Sequence, residues 1–241
     1  MKKLWNYYTD KLGLTILHPQ YFMNSYNREG VNLAKKYSKN KDIIDFGCGR
    51  MTYKSYLSET SNSYFGIDHP TESKKYISTD KPDLFTEFDE TGLPGNKFDT
   101  ATMFEVLEYL YHPGSPEEVL SEIFRLLKRE GKIVITSPFM YPIHDGDIDK
   151  NRFTDVKIID LLKDSGFKKI KVEKQGNFFI FLTTSILVYI FKNINNMSSV
   201  FKILLLPVAL IITFLLNLMT LLFKNIKDDD FPINILATAE K

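Results

Sequence analysis

Asp42-Ile-Ile-Asp-Phe-Gly-Cys-Gly-Arg-Met-Thr-Tyr53 is the stretch on which the fold of this chain turns. A short apolar run ends in Asp45, Gly47 and Gly49, and a polar, helix-compatible segment follows. That order predicts a strand over 42–46, a glycine turn and a helix. Glycine lets the backbone turn tightly and leaves no side chain between the main chain and a ligand. The first turn of the helix would add unpaired N–H groups at the same place. A nucleotide-like cofactor suits such a turn.

A second strand, Ser63-Tyr-Phe-Gly-Ile-Asp68, ends in a carboxylate. Its distance from the glycines, about 20 residues, is that of an acid reaching ribose hydroxyls from the neighbouring strand. A dinucleotide dehydrogenase would show a third glycine where Thr52 stands. Asp45, at the strand end, would repel a pyrophosphate and attract the ammonium of an amino acid. Both features argue against a nicotinamide oxidoreductase. Asp68 also suits a plain surface turn ahead of His69-Pro70.

Further motifs follow in order: Asp89-Glu-Thr-Gly-Leu-Pro94, Phe98-Asp-Thr-Ala-Thr-Met-Phe-Glu-Val-Leu-Glu108, Ile123-Phe-Arg-Leu-Leu-Lys-Arg-Glu-Gly131 and Ile133-Val-Ile-Thr-Ser-Pro138. With the first two strands, this series resembles the class I S-adenosylmethionine-dependent methyltransferases, most closely the methyltransferase type 11 subgroup. The match covers residues 40 to 175 and a plausible last strand. The resemblance implies an α/β fold, a Rossmann-like, seven-stranded, mostly parallel sheet flanked by helices. It implies S-adenosylmethionine as cofactor and no metal. Gly47 and Gly49, with Cys48 between them, would pass under the methionine part, with Asp45 near its amino group. Asp68 would take the ribose hydroxyls. Asp89, with Glu90 beside it, would meet the adenine amino group, and Met103, Phe104 and Glu105 would line the floor. Asp89 and Glu90, close to Glu87, also read as a solvated acidic face, and Cys48 as a packing thiol. The chain departs from the family at Met51 and Thr52, one of which is usually glycine, and at Tyr109, usually histidine.

The 241 residues suffice for one α/β domain with a full core and a modest appendage. The net charge is +1 and the basic residues are scattered, so no nucleic-acid footprint is visible. A single cysteine excludes internal disulfides and cysteine-rich zinc sites. Met1 to Asp10 is too polar for a secretory signal, which predicts that the catalytic half stays in the cytoplasm. Strands are expected at 42–46, 63–67, 84–88, 98–103, 132–137, 167–174 and 231–241. Their alternation with helical patterns argues for a mostly parallel sheet. Helices are expected within residues 1–40 (27–37 most clearly), from Pro116 to Lys128 with Ser115 as cap and Gly131 as stop, and from Thr154 to Ser165. Four regions result: a helical cap over 1–40, the core over 41–175, an apolar helical insert over 176–230 and a terminal strand over 231–241.

The insert changes the composition abruptly. Gln175–Phe191 and Ile203–Phe223 carry no charge. As helices they would reach about 26 and 32 Å, close to the hydrocarbon thickness of a bilayer. In this family the last strand returns antiparallel beside the fifth, so the insert would begin and end on the same side of any membrane. It would then cross twice, as a hairpin, or lie in one leaflet. Lys168, Lys169, Lys171, Lys174, Lys224 and Lys227 flank it, which suits an anionic cytoplasmic leaflet. Thr183 to Ser185, Pro207 and Asn217 fit the bilayer centre poorly and favour the in-plane pair. A soluble dimer interface or substrate lid is the alternative. The expectation is attachment to the cytoplasmic membrane face through residues 178–223.

Methyl transfer is an in-line displacement that needs an aligned acceptor about 3–3.5 Å from the methyl carbon. For a hydroxyl acceptor, a base contributes about 10² to 10⁴. The loop Tyr141-Pro-Ile-His-Asp-Gly-Asp-Ile-Asp-Lys-Asn-Arg-Phe-Thr154, after the fifth strand, resembles the subgroup's histidine, acid, arginine-phenylalanine-threonine pattern. His144 is the candidate base, oriented by Asp145 or Asp147. Alternatively the loop is only tied down by His144 and Arg152, or His112 serves, or His144, Asp145, Asp147 and Asp149 hold a metal. The expected acceptor is a small molecule or a lipid-linked saccharide, with a quinone or fatty lipid next. A membrane-anchored scaffold without catalysis is the rival.

Overall fold

The computed structural model describes residues 15–71, 81–111 and 114–241. His112 and the part of the expected helical cap before Thr15 lie outside them. Among the described residues the strands are β1 (Asp42–Phe46), β2 (Ser63–Asp68), β3 (Leu84–Phe85), β4 (Phe98–Phe104), β5 (Leu127–Pro138), β6 (Lys168–Gln175) and β7 (Asn234–Glu240). The helices are α1 (Tyr21–Tyr37), α2 (Lys54–Ser58), α3 (Pro116–Leu126), α4 (Asp155–Asp164), α5 (Phe178–Asn195) and α6 (Ser199–Leu221). The seven strands form one sheet in the order β3-β2-β1-β4-β5-β7-β6. The pairs β1–β2, β1–β4, β2–β3 and β4–β5 are parallel. Lys241, just past β7, pairs with Glu130 and Gly131 near the start of β5, and Lys169 near the start of β6 meets Glu240. β7 therefore runs against both neighbours, and the apolar insert lies between β6 and β7, as expected.

By internal packing the chain forms two compact units. One comprises Arg28–Phe139, His144–Glu173 and Ile235–Lys241. Its core is made by the buried faces of the central strands (Ile44, Phe46, Ala101, Met103, Ile133, Ile135) against Leu120, Ile123, Leu161 and Leu162 of α3 and α4. Burying such side chains contributes roughly 1.5–3 kcal/mol each. α3 starts as its sequence predicts: Ser115 accepts from the Glu118 N–H, the Glu118 side chain returns to the Ser115 N–H, and Pro116 occupies the first turn. Thr154 caps α4, and Gly166, at φ +94°, follows its end.

The other unit comprises, of the described residues, 15–27, Met140–Ile143 and Lys174–Asn234. Phe22 and Met23 of α1 pack there with Tyr141, Ile180 and Ile233. α5 and α6 pair through Phe191, Ile194 and Ala209. Asn177 caps α5 by accepting from Ile180 N–H, and its amide donates to the Phe223 and Ile226 carbonyls, closing the base of the pair.

Boundaries depart most from the sequence reading at three places, besides β7, which begins at Asn234 rather than at 231. α3 ends at Leu126 and β5 begins at Leu127, because Leu127 pairs with Phe98 ahead of a register irregularity. Glu130 takes φ +62° in that irregularity, and a Cβ on Gly131 would lie 2.8 Å from the Lys128 carbonyl, so Gly131 serves a bulge rather than a helix stop. β3 is confined to two residues. α1 begins at Tyr21, well before Asn27.

Candidate active site

Strand register brings the motif residues together. Phe46 of β1 pairs with Ile67 of β2 and with Met103 of β4, and Asp68 pairs with Phe85 of β3. Gly47, Asp68 and Phe104 consequently leave adjacent strands at one carboxyl edge, where ligands bind in open α/β sheets. Gly47 has φ +68°, and a Cβ there would lie 2.3 Å from Val106 Cγ2. The N–H groups of Gly47 and Cys48 both donate to the Ile67 carbonyl, at 2.9 and 3.1 Å. The turn is thus pinned between β2 and the segment after β4.

Gly49 has φ +56°, and so does Met51, one of the two positions where the family resemblance leads one to expect glycine. The Met51 side chain explains this departure. Its Sδ and Cys48 Sγ lie 2.5 and 2.8 Å from where a Gly66 Cβ would stand, so both sulfurs fill the space over a bare β2 glycine. Burial pushes the Cys48 thiol far up, and it stays a neutral packing group. The expected helix N-terminus at the turn is absent among the described residues. Residues 50–53 form turns in which Met51 N–H bonds Cys48 and Lys54 N–H bonds Met51, and α2 is only five residues long.

Asp45 is 2% exposed; Thr102 donates to its Oδ1 at 2.7 Å and Tyr64 to its Oδ2. Burial raises its carboxyl to about 6, against the pull of those two hydroxyls. Asp68 is also buried and accepts from His69 N–H at 2.8 Å. Asp89 is half-buried and Glu90 exposed. Beyond them Glu122 accepts from Thr91 N–H and is paired with Arg125, which fixes the chain after Asp89. The Phe104 ring turns into an apolar layer, edge-on to Tyr53, so only its backbone faces the edge.

The loop that follows β5 lies beyond Glu105, which has φ +54° and donates its N–H to the Thr136 carbonyl. Glu105 Oε1 and both Glu108 carboxyl oxygens are sealed without a partner. Burial pushes both carboxyls up, and the charge of Glu105 raises Glu108 further. The Glu108 carbonyl accepts from Lys150 and Asn151 N–H, which moors the loop.

Within that loop His144 Nδ1 lies 3.2 Å from Asp149 Oδ2, and its Nε2 lies 2.8 Å from the Tyr109 hydroxyl. Tyr109 donates to Asp145 Oδ2. Arg152 grips both oxygens of Asp149 and holds its carboxyl low. The expected Asp145 stands within reach of His144, its Oδ2 3.5 Å from Nε2, and the structure adds a second acid that the sequence reading did not single out. Asp149 stands at Nδ1, Asp145 is engaged by the phenol, and Asp147 is exposed in the turn Gly146–Ile148. Sequence reasoning passed over Tyr109 and gave Asp149 no orienting role. The signal for Tyr109 was its place at the family's usual histidine. Among the described residues no His, Cys, Asp and Glu gather into a metal-holding group.

The arrangement can hold a nucleoside-like group along Gly47–Gly49 and Asp68, and can move a proton through a half-exposed imidazole. The model of the methyltransferase domain family matches residues 20–172. No curated protein matches the chain. A methyltransferase described as dependent on S-adenosylmethionine, from Archaeoglobus fulgidus, is 16% identical with a TM-score of 0.58, over 92% of this chain and 97% of its own. One from Mesorhizobium loti is 15% identical, at 0.56, over 93% and 98%. The [4+2]-cyclase SpnF is 15% identical, at 0.57, over 89% and 80%. At these identities the likeness is one of fold.

Proposed function

The chain belongs to the methyltransferase domain family, and from that premise we propose that it moves the methyl group of S-adenosylmethionine to a hydroxyl of a membrane-held or lipid-linked acceptor, such as an envelope saccharide intermediate. The observation that carries the reading is the alignment of the left-handed Gly47–Gly49 turn, Asp68 and Glu105 at one sheet edge, with the His144 loop moored beside it on Glu108. The residues fit the cofactor: a glycine turn without side chains, a carboxylate one strand over, and a buried acid beneath for an ammonium. When bound, the cofactor supplies an electrophilic methyl on a sulfonium.

The chain's own residues do the rest. Asp68 offers its carboxylate to the ribose hydroxyls. Asp89, with Glu90 beside it, offers the adenine amino group an acceptor. Asp45 acts from below the turn through its charge, since its oxygens already receive two hydroxyls. His144 takes the acceptor's proton at Nε2, which the Tyr109 hydroxyl leaves when the acceptor hydroxyl takes its place, with Asp149 accepting from Nδ1–H and Tyr109 staying bonded to Asp145. α5 and α6, both long and apolar enough to cross a membrane by length and composition, hold the enzyme at the cytoplasmic membrane face. Tethering there raises its effective concentration toward a lipid-linked substrate. A second reading, cofactor binding without methyl transfer, is favoured by one observation: the fold also serves a [4+2]-cyclase.

The test is to incubate the detergent-solubilised full chain with S-adenosylmethionine labelled in its methyl group and a total lipid extract of its host. Label entering the organic phase in an acid-stable, saccharide-bearing product supports the proposal. Label in a quinone or simple lipid replaces the acceptor class. Calorimetric binding of the demethylated cofactor without any label transfer supports the second reading. In the same titration Asp68→Ala should weaken binding by roughly 1.5–3 kcal/mol, as for loss of a charged acceptor.

A further inference from the structure

The outer face of α6 has a pattern that water does not explain. Leu204, Val208, Ile211, Leu215, Leu218 and Leu222 recur at spacings of four and three residues and are 46–80% exposed. The opposite line of the same helix, Ala209, Thr213, Asn217 and Thr220, is at most 4% exposed. Its polar groups bond inward: Thr213 donates to the Ala209 carbonyl, Thr220 meets Thr183 at 2.6 Å, and the Asn217 amide donates to the Ile16 and His18 carbonyls. Thr184 Oγ1 and Asn217 Oδ1 are the unbonded exceptions. A water-facing helix places its side chains the other way round. Exposed to water, the stripe costs about 25 cal/mol per Å² of apolar surface, and in hydrocarbon that cost vanishes.

We propose that α6 docks by this stripe into one leaflet of a lipid bilayer, the helix pair lying in the membrane plane rather than crossing it. The proposal rests on the membrane-bound reading above and adds its geometry. Crossing is opposed by the packing of α5. Phe181 and Val188 lie against the cluster of Phe22, Met23, Ile180 and Ile233, together with Tyr21 and Tyr26. At Ile180, Phe181 and Val188 α5 therefore packs on protein rather than on lipid. Beyond Val188 only Tyr189 to Asn195 remain, about 10 Å of helix against the roughly 30 Å of a hydrocarbon core. Asn217 ties α6 in turn to the 16–18 backbone. The threonines and Asn217 that sequence alone sets against the bilayer centre face the inside of the pair, so they do not bear on depth.

Charge agrees. Lys192 and Lys202 stand at one end of the pair, Lys224 and Lys227 at the other. Lying flat, the pair brings all four to the headgroups of one anionic leaflet, whereas a crossing hairpin would carry two of them to the far side. Asp228 is occupied in accepting the Phe178 N–H at the base of α5, and Asp229 and Asp230 reduce the positive charge there.

The experiment uses full-length Leu204→Trp, Ile211→Trp and Leu218→Trp variants, reconstituted into phosphatidylcholine–phosphatidylglycerol vesicles with lipids brominated at shallow or deep carbons. The unsubstituted chain gives the background of its own tryptophan. Equal quenching at all three positions, stronger with shallow bromines, is the expected result. Deepest quenching at Ile211, with Leu204 and Leu218 both shallower, would mean a crossing helix and overturn the in-plane geometry while leaving membrane attachment intact. Absence of quenching at all three would overturn the docking and the attachment together. Calorimetry with the demethylated cofactor reads the methyltransferase site separately.

Discussion

Gly47 owes its identity to what stands around it. Its backbone is left-handed, and Val106 occupies the place a Cβ would take. Left-handed backbone alone costs a non-glycine residue about 1–2 kcal/mol, or about tenfold in an equilibrium. Gly47→Ala should therefore keep the fold by circular dichroism and bind the demethylated cofactor at least tenfold more weakly in a calorimetric titration. Met51 shows the reverse case, since it accepts φ +56° because its sulfur fills the space over Gly66. At Tyr109 the hydroxyl touches both His144 and Asp145, so under the proposed function the phenol is a positioning residue for His144. Tyr109→Phe should lower turnover by about 10- to 100-fold, the loss of a hydrogen bond to a charged group, with unchanged cofactor affinity. A purely structural phenol would instead lower the melting temperature and leave the pH–rate profile in place.

At the scale of elements, the α5–α6 pair carries its polar side chains inside and its apolar side chains outside. Asn217→Leu removes the amide that satisfies the Ile16 and His18 carbonyls and should cost about 1–3 kcal/mol, seen as a lower melting temperature. The same variant should sediment with vesicles as the parent does, because Asn217 faces away from the exposed stripe. Reduced vesicle binding would mean that the seam and the docking face are not separate. The short α2 matters for the opposite reason. With no long helix starting at the glycine turn, the N–H groups of Gly47 and Cys48 are spent on β2, and the proposed function leaves recognition of the cofactor to the strand-end carboxylates.

For the whole molecule, two buried groups set pH dependences of opposite sign. Burial lowers His18 to about 4 from its ordinary 6.5, so the unfolded chain takes up a proton that the folded one refuses. Its contribution is complete above pH 6.5 and is lost as pH falls toward 4. Asp45 is raised to about 6, so its contribution is complete below 3.8 and is lost as pH rises through 6. For ligand binding, Asp45 must be ionised to attract an ammonium. Affinity for the demethylated cofactor should fall as pH drops from 7 to 5, and Asp45→Asn should flatten that dependence in parallel calorimetric titrations. A slope that survives in the variant would remove Asp45 from cofactor recognition.

The strand–glycine–acid order from Asp42 to Asp68, the β/α alternation and the two uncharged stretches are local patterns, and local pattern is what sequence expresses. From them follow the Rossmann-like sheet, the carboxyl edge where Gly47 and Asp68 meet, and the place of an apolar pair between β6 and β7. Helix caps such as Ser115 and Thr154 were legible for the same reason, being contacts over three residues. The acid at Nδ1 of His144 was not. Asp145, Asp147 and Asp149 are equivalent in spacing, and only the Arg152 grip and the mooring on Glu108 place Asp149 at Nδ1, with Asp145 on the Nε2 side beside Tyr109. Nor could sequence tell that Thr183, Asn217 and Thr220 face inward. That depends on the rotation of α6 against α5 and the 16–18 turn, which is fixed by packing between segments some 200 residues apart in the chain.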